Sequence, residues 1–126
     1  MKLFVTAVFI VLTSLLAVSC KKPVPDAGTV YPISVSITYR VSSSSSGNIP
    51  ISITYDNETG RQTTVDNAVL PFTKTITKTV NKYSVITIGY FVNPAQTVKL
   101  EIFVNNDLVK SQEYTSPNTS MSYTFL

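Results

Sequence analysis

The chain has 126 residues, with ten Lys and Arg against seven Asp and Glu, no His, no Trp and a single Cys. This length suits one small domain, and a net charge of +3 is too weak to predict a nucleic-acid partner. Without His the chain lacks the usual acid–base group near neutral pH and the commonest metal ligand, and one Cys excludes an internal disulfide.

Residues 1–20 have the layout of a bacterial lipoprotein signal. Lys2 is a short positive region, Leu3–Val18 is an almost unbroken apolar run, and small residues from Ala17 onward precede Cys20. The position three before the cysteine is usually Leu in such signals, and here it is Ala17. We predict a signal peptide over residues 1–19 and cleavage before Cys20, which would become the lipid-modified first residue of the mature protein.

Two other interpretations of this segment remain open. A plain secretory signal explains the positive residue, the apolar run and the small residues before the cut. An uncleaved membrane helix needs about 20 apolar residues, which is more than Leu3–Val18 supplies. Only the lipoprotein interpretation also explains why the single cysteine lies at this position. Lys21 follows the cysteine where Asp would favour the inner membrane, so an outer-membrane location is favoured.

Residues 20–29 are predicted to be the lipidated cysteine and a short tether. Lys21–Thr29 contains two prolines, one glycine and no apolar periodicity. Nine residues reach at most about 30 Å, so the domain is expected to stay near the bilayer.

Residues 30–126 are predicted to form a β-domain. Apolar residues alternate with Ser, Thr and Arg from Ile33 to Val41, which indicates a strand with one buried face. Ser42–Asn48 reads as a flexible loop. The predicted strands are Ile33–Val41, Ile49–Tyr55, Arg61–Asp66, Thr73–Val80, Tyr83–Val92, Val98–Val104, Leu108–Tyr114 and Met121–Phe125.

Two turns and one strand have more specific patterns. Asp56–Gly60 favours a hairpin with a type I turn and a left-handed Gly, and its two acidic residues leave a calcium site as a weaker alternative. Asn105-Asn106-Asp107 predicts a second hairpin. Tyr83–Val92 is apolar at both alternating positions, which predicts a central strand covered on both faces. Eight short strands with hairpin turns and no helix after the signal predict a β-sandwich.

The sequence offers no catalytic constellation. Ser and Thr are abundant, but no His is present to activate them and no G-x-S-x-G motif occurs. The acidic residues are scattered over turns and strands, so the sequence brings no pair of carboxylates together: Asp56, Glu58, Asp66, Glu101, Asp107 and Glu113. We predict a non-enzymatic protein with no catalytic residue, no metal site and no cofactor.

The domain resembles the MmpS family, small mycobacterial membrane proteins that assist large lipid and siderophore exporters. The matching pieces, within residues 37–126, are Ile51–Gly60, Val69-Leu70-Pro71-Phe72 before a Thr-rich strand, and Ile102–Val109. The resemblance implies an immunoglobulin-like β-sandwich of about seven to eight strands held at a membrane by its N-terminus.

The chain departs from that family at several positions. Phe72 stands where the family usually has Trp, and Asn105-Asn106 where it has Asp-Gly. Leu100 and the strand around Tyr123 fall near the places of two paired family cysteines. The family also uses an uncleaved helix where this chain has a signal ending at Cys20.

These observations predict a lipid-anchored cell-envelope protein, attached to the membrane through Cys20. An accessory role beside a transporter or another envelope complex is the first expectation, with strand edges and aromatic patches as the contact surfaces. A glycan-binding or adhesive surface protein and a structural spacer are the alternatives.

Overall fold

The structure is a computed structural model that describes residues 22–45 and 49–126. The signal segment 1–19 and Cys20 lie outside the described residues. Eight strands are described, and they are β1 Ile33–Ser43, β2 Ile51–Asp56, β3 Gln62–Ala68, β4 Phe72–Val80, β5 Val85–Val92, β6 Val98–Val104, β7 Asp107–Tyr114 and β8 Asn118–Thr124. Each corresponds to a predicted strand, with ends that differ by up to three residues.

The strands form two four-stranded antiparallel sheets that pack face to face. The first sheet has the order β4-β1-β6-β7 and the second the order β3-β2-β5-β8. Only β2–β3 and β6–β7 are hairpins within one sheet, so every other connection crosses from one sheet to the other. The predicted fold class, an all-β antiparallel sandwich, is confirmed with eight strands.

The core lies between the sheets and follows the period-two pattern of the sequence. On β1 the inward residues Val35, Ile37, Tyr39 and Val41 are all buried, while the outward residues between them are polar. The central strands β5 and β6 contribute in the same way, so apolar side chains from both sheets interdigitate. The inward residues of β5 and β6 are Ile86, Ile88, Tyr90, Val92, Val98, Leu100, Ile102 and Val104.

Tyr39 places one polar atom in this core. Its hydroxyl donates a hydrogen bond of 2.9 Å to the backbone carbonyl of Asp56. Burial raises the pKa of Tyr39 well above its ordinary value of 10.0, and the nearby charge of Asp56 acts in the same direction. The ring also lies 5.4 Å from that of Tyr55, so Tyr39 joins the apolar core to the end of β2.

Both predicted hairpins are present. In the first, the amide of Gly60 donates to the carbonyl of Asn57, and Gly60 has a φ of 83°, as a type I turn with a left-handed glycine requires. In the second, Asn105 and Asn106 have φ values of 49° and 68°. Two positive φ angles in a two-residue loop define the type I′ turn that matches the twist of a hairpin.

The prediction that the fifth strand is covered on both faces is wrong. β5 is central, since it pairs with β2 and β8, and its inner face is buried. Its outer face, however, carries Val85 and Phe91, which are half exposed. A two-layer sandwich leaves the outer face of each sheet in contact with solvent, so apolar residues there are surface features.

The segment before β1 packs against the domain, which the tether prediction did not anticipate. The side-chain amide of Asn105 donates to the carbonyl of Pro23 at 2.9 Å. Pro25 is buried, and Asp26 closes a turn by accepting from the amide of Thr29. The chain is therefore held to the domain from Pro23 onward, two residues after Lys21.

Among residues 22–45 and 49–126, no helix is long and apolar enough to cross a membrane.

Candidate binding cleft

A cleft of about 750 Å³ lies at one end of the sandwich. Three segments that connect the two sheets meet there, between β1 and β2, between β3 and β4, and between β5 and β6. Its volume falls in the range of small-ligand sites, roughly 300–1,000 Å³. The described lining residues are Ser42, Ser43, Ser45, Ile49, Pro50, Asn67, Ala68, Val69, Leu70, Pro71 and Gln96.

The lining of this cleft carries no described charge and is apolar over the larger part of its surface. Its wall comes mainly from the sequence Ala68–Pro71 and from Ile49 and Pro50. No described lining residue is ionisable or aromatic, and the neighbouring residues 46–48, which the structure does not describe, are Ser, Gly and Asn. A charged group would lose its hydration in such a cleft without gaining a partner. The cleft therefore suits a neutral, apolar group.

Ser43 is the centre of the hydrogen bonds described in one wall of the cleft. The hydroxyl of Ser43 donates to the carbonyl of Thr97 at 2.6 Å and accepts from the amide of Ser45 at 3.1 Å. Gln96, nearly buried, places its Oε1 3.5 Å from the same hydroxyl. These bonds connect the end of β1 to the segment that leads into β6. This wall of the cleft is therefore built at the ends of two neighbouring strands of the first sheet.

A bulge in β3 shapes the opposite wall. The pairing register between β2 and β3 shifts between Ile51 and Ile53, and Asn67 in that interval has a φ of 54°. Such a bulge re-aims the residues that follow it. Val69, directly after β3, is 81% exposed at the rim, whereas the neighbouring Leu70 packs against the core.

The cleft and the N-terminal segment lie at opposite ends of the domain. Ile33 begins β1 beside the N-terminal segment, and Ser43 ends it in the cleft wall. Eleven strand residues at about 3.3 Å each span roughly 33 Å. The cleft therefore lies at the end of the domain farthest from the N-terminal segment.

Two of the acidic residues considered for chemistry, Asp56 and Asp66, have separate partners. Asp56 accepts from the backbone amide of Thr87 at 2.8 Å, and Asp66 accepts from the hydroxyl of Ser52. Within the described ranges no three acidic, His or Cys side chains come together in a group that could hold a metal ion. The calcium alternative at residues 56–60 gains no support, because the Asp56 carboxylate accepts a hydrogen bond from the backbone of β5.

Glu101 is the one acidic side chain among the described residues that is nearly buried. Its carboxylate lies 3.8 Å from the guanidinium of Arg40, which also stacks over the ring of Phe103 at 4.6 Å. This group joins β1 to β6 on the outer face of the first sheet, as cross-strand pairs do. Its contacts are those of a structural pair.

A second exposed feature is Phe91, on the outer face of the second sheet. Its side chain is 54% exposed, and its cross-strand neighbours are Ser52 on β2 and Asn118 on β8. An exposed aromatic ring between hydrogen-bonding side chains is the kind of surface that sugars stack on. The sequence predicted that the strand Tyr83–Val92 is covered on both faces, so only the structure identifies Phe91 as a surface residue.

One strand edge is poorly suited to binding. On the edge strand β4, Lys74 and Lys78 share the inward-facing side with the buried Ile76 and Val80. Lysines at the margin of an edge strand oppose the addition of another strand. The expectation that strand edges form the contact surface is therefore less favoured for β4 than the cleft is.

The cleft itself could not be assembled from the sequence. Val69–Phe72 stands out there as a dense apolar segment outside any strand pattern, which is the only signal pointing to this end of the domain. Its neighbours in the cleft, Ile49 and Gln96, are distant along the chain.

No protein-family model matches this chain, and no curated protein sequence matches it. The resemblance to the MmpS family therefore remains a prediction from the quoted segments.

Proposed function

We propose that this chain is a non-enzymatic lipoprotein of the bacterial cell envelope that binds an apolar segment of another envelope protein. Cys20 carries the lipid, and the outer membrane is the favoured location. An accessory role beside a transporter, as the family resemblance implies, is the form of this proposal that we favour. The two or three acyl chains of a lipoprotein add about 0.8 kcal/mol per buried CH₂, enough for stable attachment.

The placement of the cleft is the observation that supports this proposal most strongly. The N-terminal segment leaves the domain at one end, and the cleft opens at the other. A protein held to a bilayer through its N-terminus would present the cleft away from that membrane. That arrangement suits a partner that is itself an envelope protein.

The lining of the cleft supports an apolar partner over a sugar. A sugar site needs an aromatic platform beside its hydrogen-bonding groups, whereas none of the described lining residues is aromatic and six of the eleven are aliphatic residues or prolines. Binding here would bury apolar surface, which contributes about 25 cal/mol per Å² to the free energy of binding. Val69, exposed at the rim, is the residue we expect to contribute most.

The alternative is a glycan-binding surface protein, and Phe91 is the observation that favours it. The ring is exposed on the outer face of the second sheet, between Ser52 and Asn118. This surface is separate from the cleft, so the two functions can be tested independently.

Site-specific photo-crosslinking in cells distinguishes the two. A photoreactive amino acid is placed at Val69 on the cleft rim or, as the control, at Thr75, which is exposed on β4. We expect one envelope protein to be captured from Val69 and not from Thr75.

Glycan-array binding provides the opposing result. If the protein bound glycans, lost that binding in Phe91→Ala and gave no specific adduct from Val69, the adhesive function would replace the accessory one.

A further inference from the structure

The end of the domain opposite the cleft carries a cluster of exposed apolar side chains. We call it the end face and define it by Val30, Lys82, Tyr83, Val85 and Leu126. Val30 is 85% exposed and Tyr83 64% exposed. Leu126 is 57% exposed and Val85 50% exposed. Soluble domains rarely gather large apolar side chains at one site unless it contacts something.

The end face is built on a fixed backbone. The amide of Tyr83 donates to the carbonyl of Phe125 at 2.7 Å, and the amide of Phe125 donates back to Ser84 at 2.9 Å. The hydroxyl of Tyr31 donates to the carbonyl of Leu126. Three separate parts of the chain are thus hydrogen-bonded together here, so the apolar side chains are held outward by a hydrogen-bonded framework.

The chemistry of the end face suits the surface of a bilayer. The ammonium of Lys82 lies 5.1 Å from the centre of the Tyr83 ring. Tyr and Lys are the side chains that combine an apolar body with a polar or charged tip, and such residues gather at membrane–water boundaries. Val and Leu beside them provide apolar area without a polar group that needs a specific partner.

The position of the N-terminal segment favours the bilayer as the occupant. Pro23 is bound to Asn105, which follows β6 at this same end of the domain. Only Lys21 and Lys22 separate Pro23 from Cys20, a span of at most about 11 Å. A lipid on Cys20 would therefore hold this end within a short distance of the headgroups, and both lysines would add positive charge toward anionic lipids.

We propose that the end face rests on the bilayer that holds the N-terminal lipid, so that the domain stands upright with its cleft pointing away. The proposal depends on the lipid anchor of the proposed function. It adds a second contact, made by the folded domain itself, that sets the orientation of the cleft.

The absence of Trp from the chain allows a direct test with a single fluorophore. The full lipoprotein carrying Tyr83→Trp is reconstituted into vesicles whose acyl chains are brominated near the headgroup. Phe91→Trp is the matched control, since Phe91 is also about half exposed but lies on a sheet side near the other end. Flotation with the vesicles and far-UV circular dichroism confirm attachment and folding of both variants.

We expect brominated lipid to quench Tyr83→Trp and to leave Phe91→Trp nearly unchanged. A second variant, Lys82→Glu in the Tyr83→Trp background, should reduce the quenching in vesicles that contain anionic lipid. The proposal would be overturned if both variants float with the vesicles and Tyr83→Trp has the same emission in brominated as in ordinary vesicles.

Two further outcomes have separate meanings. In the first, brominated lipid does not quench Tyr83→Trp, but the emission of this variant changes with protein concentration. That result would assign the end face to a contact with a second copy of the chain and overturn the bilayer contact. Failure of the protein to float would contradict the lipid anchor itself, and with it the proposed function.

Discussion

Leu100→Ala measures how far the apolar core alone holds this domain together. Leu100 lies on the central strand β6 and has no exposed surface. The substitution removes three buried carbons, worth about 2.4 kcal/mol at 0.8 kcal/mol per CH₂. The cavity left behind adds to this, so we expect a loss of about 3 kcal/mol, inside the usual range of 2–5.

This loss is large for a domain of such size. Small domains have a free energy of unfolding of roughly 5–15 kcal/mol, and the single Cys leaves no internal disulfide to compensate. About 3 kcal/mol corresponds to a fall in Tm of roughly 12–24 °C. Urea unfolding followed by far-UV circular dichroism measures the change for residues 22–126.

Leu108→Ala is the matched control, because it makes the same chemical change on the adjacent strand. Leu108 is 51% exposed and pairs with Phe103 on the outer face. We expect it to cost less than about 1 kcal/mol, as surface substitutions usually do. Equal losses at Leu100 and Leu108, or a loss below about 0.5 kcal/mol at Leu100, would refute the assignment of inward and outward faces.

Three further substitutions test other parts of the fold. Because the pKa of Tyr39 is raised by burial and by Asp56, the unfolded chain loses this proton first, so stability should be complete below pH 10 and fall as pH rises above it. Tyr39→Phe should weaken the alkaline fall in urea-unfolding stability, and an unchanged pH dependence would contradict the linkage. Gly89→Ala would bring a Cβ to 3.0 Å from the backbone carbonyl of Thr119, so it should cost about 1–3 kcal/mol, and a neutral result would mean that β5 and β8 separate freely there. Asn105→Ala should speed amide hydrogen exchange around residues 26–29 because the bond to Pro23 is lost, and unchanged exchange would contradict a role of that bond in holding the segment.

Strand positions were predictable because apolar inward residues alternate with polar outward ones in several strands, as from Val35 to Val41. Both hairpins were predictable for a different reason. Gly60 and Asn105-Asn106 are residue types that accept positive φ, so the turns are specified locally. These features depend on neighbours in the sequence, and the structure confirms them.

The features that depend on distant residues were not predictable in the same way. Phe91 has the apolar character of a core residue, and only the two-layer arrangement of the sheets places it at the surface. The bond between Asn105 and Pro23 joins residues far apart in the chain, so the pattern of Lys21–Thr29 alone indicated a linker. The cleft is assembled from three connections, of which only Val69–Phe72 had a visible signal.

We propose that the mature protein begins at Cys20, with lipid on its sulfur and amino group. Mass spectrometry of the N-terminal peptide from the membrane fraction tests it most directly, with Cys20→Ala as the control. We predict a peptide that starts at Cys20 and carries the mass of the acyl chains, and an unprocessed precursor in Cys20→Ala. A mature peptide with an unmodified Cys20, or a peptide that still contains residues before Cys20, would contradict the proposed lipid anchor.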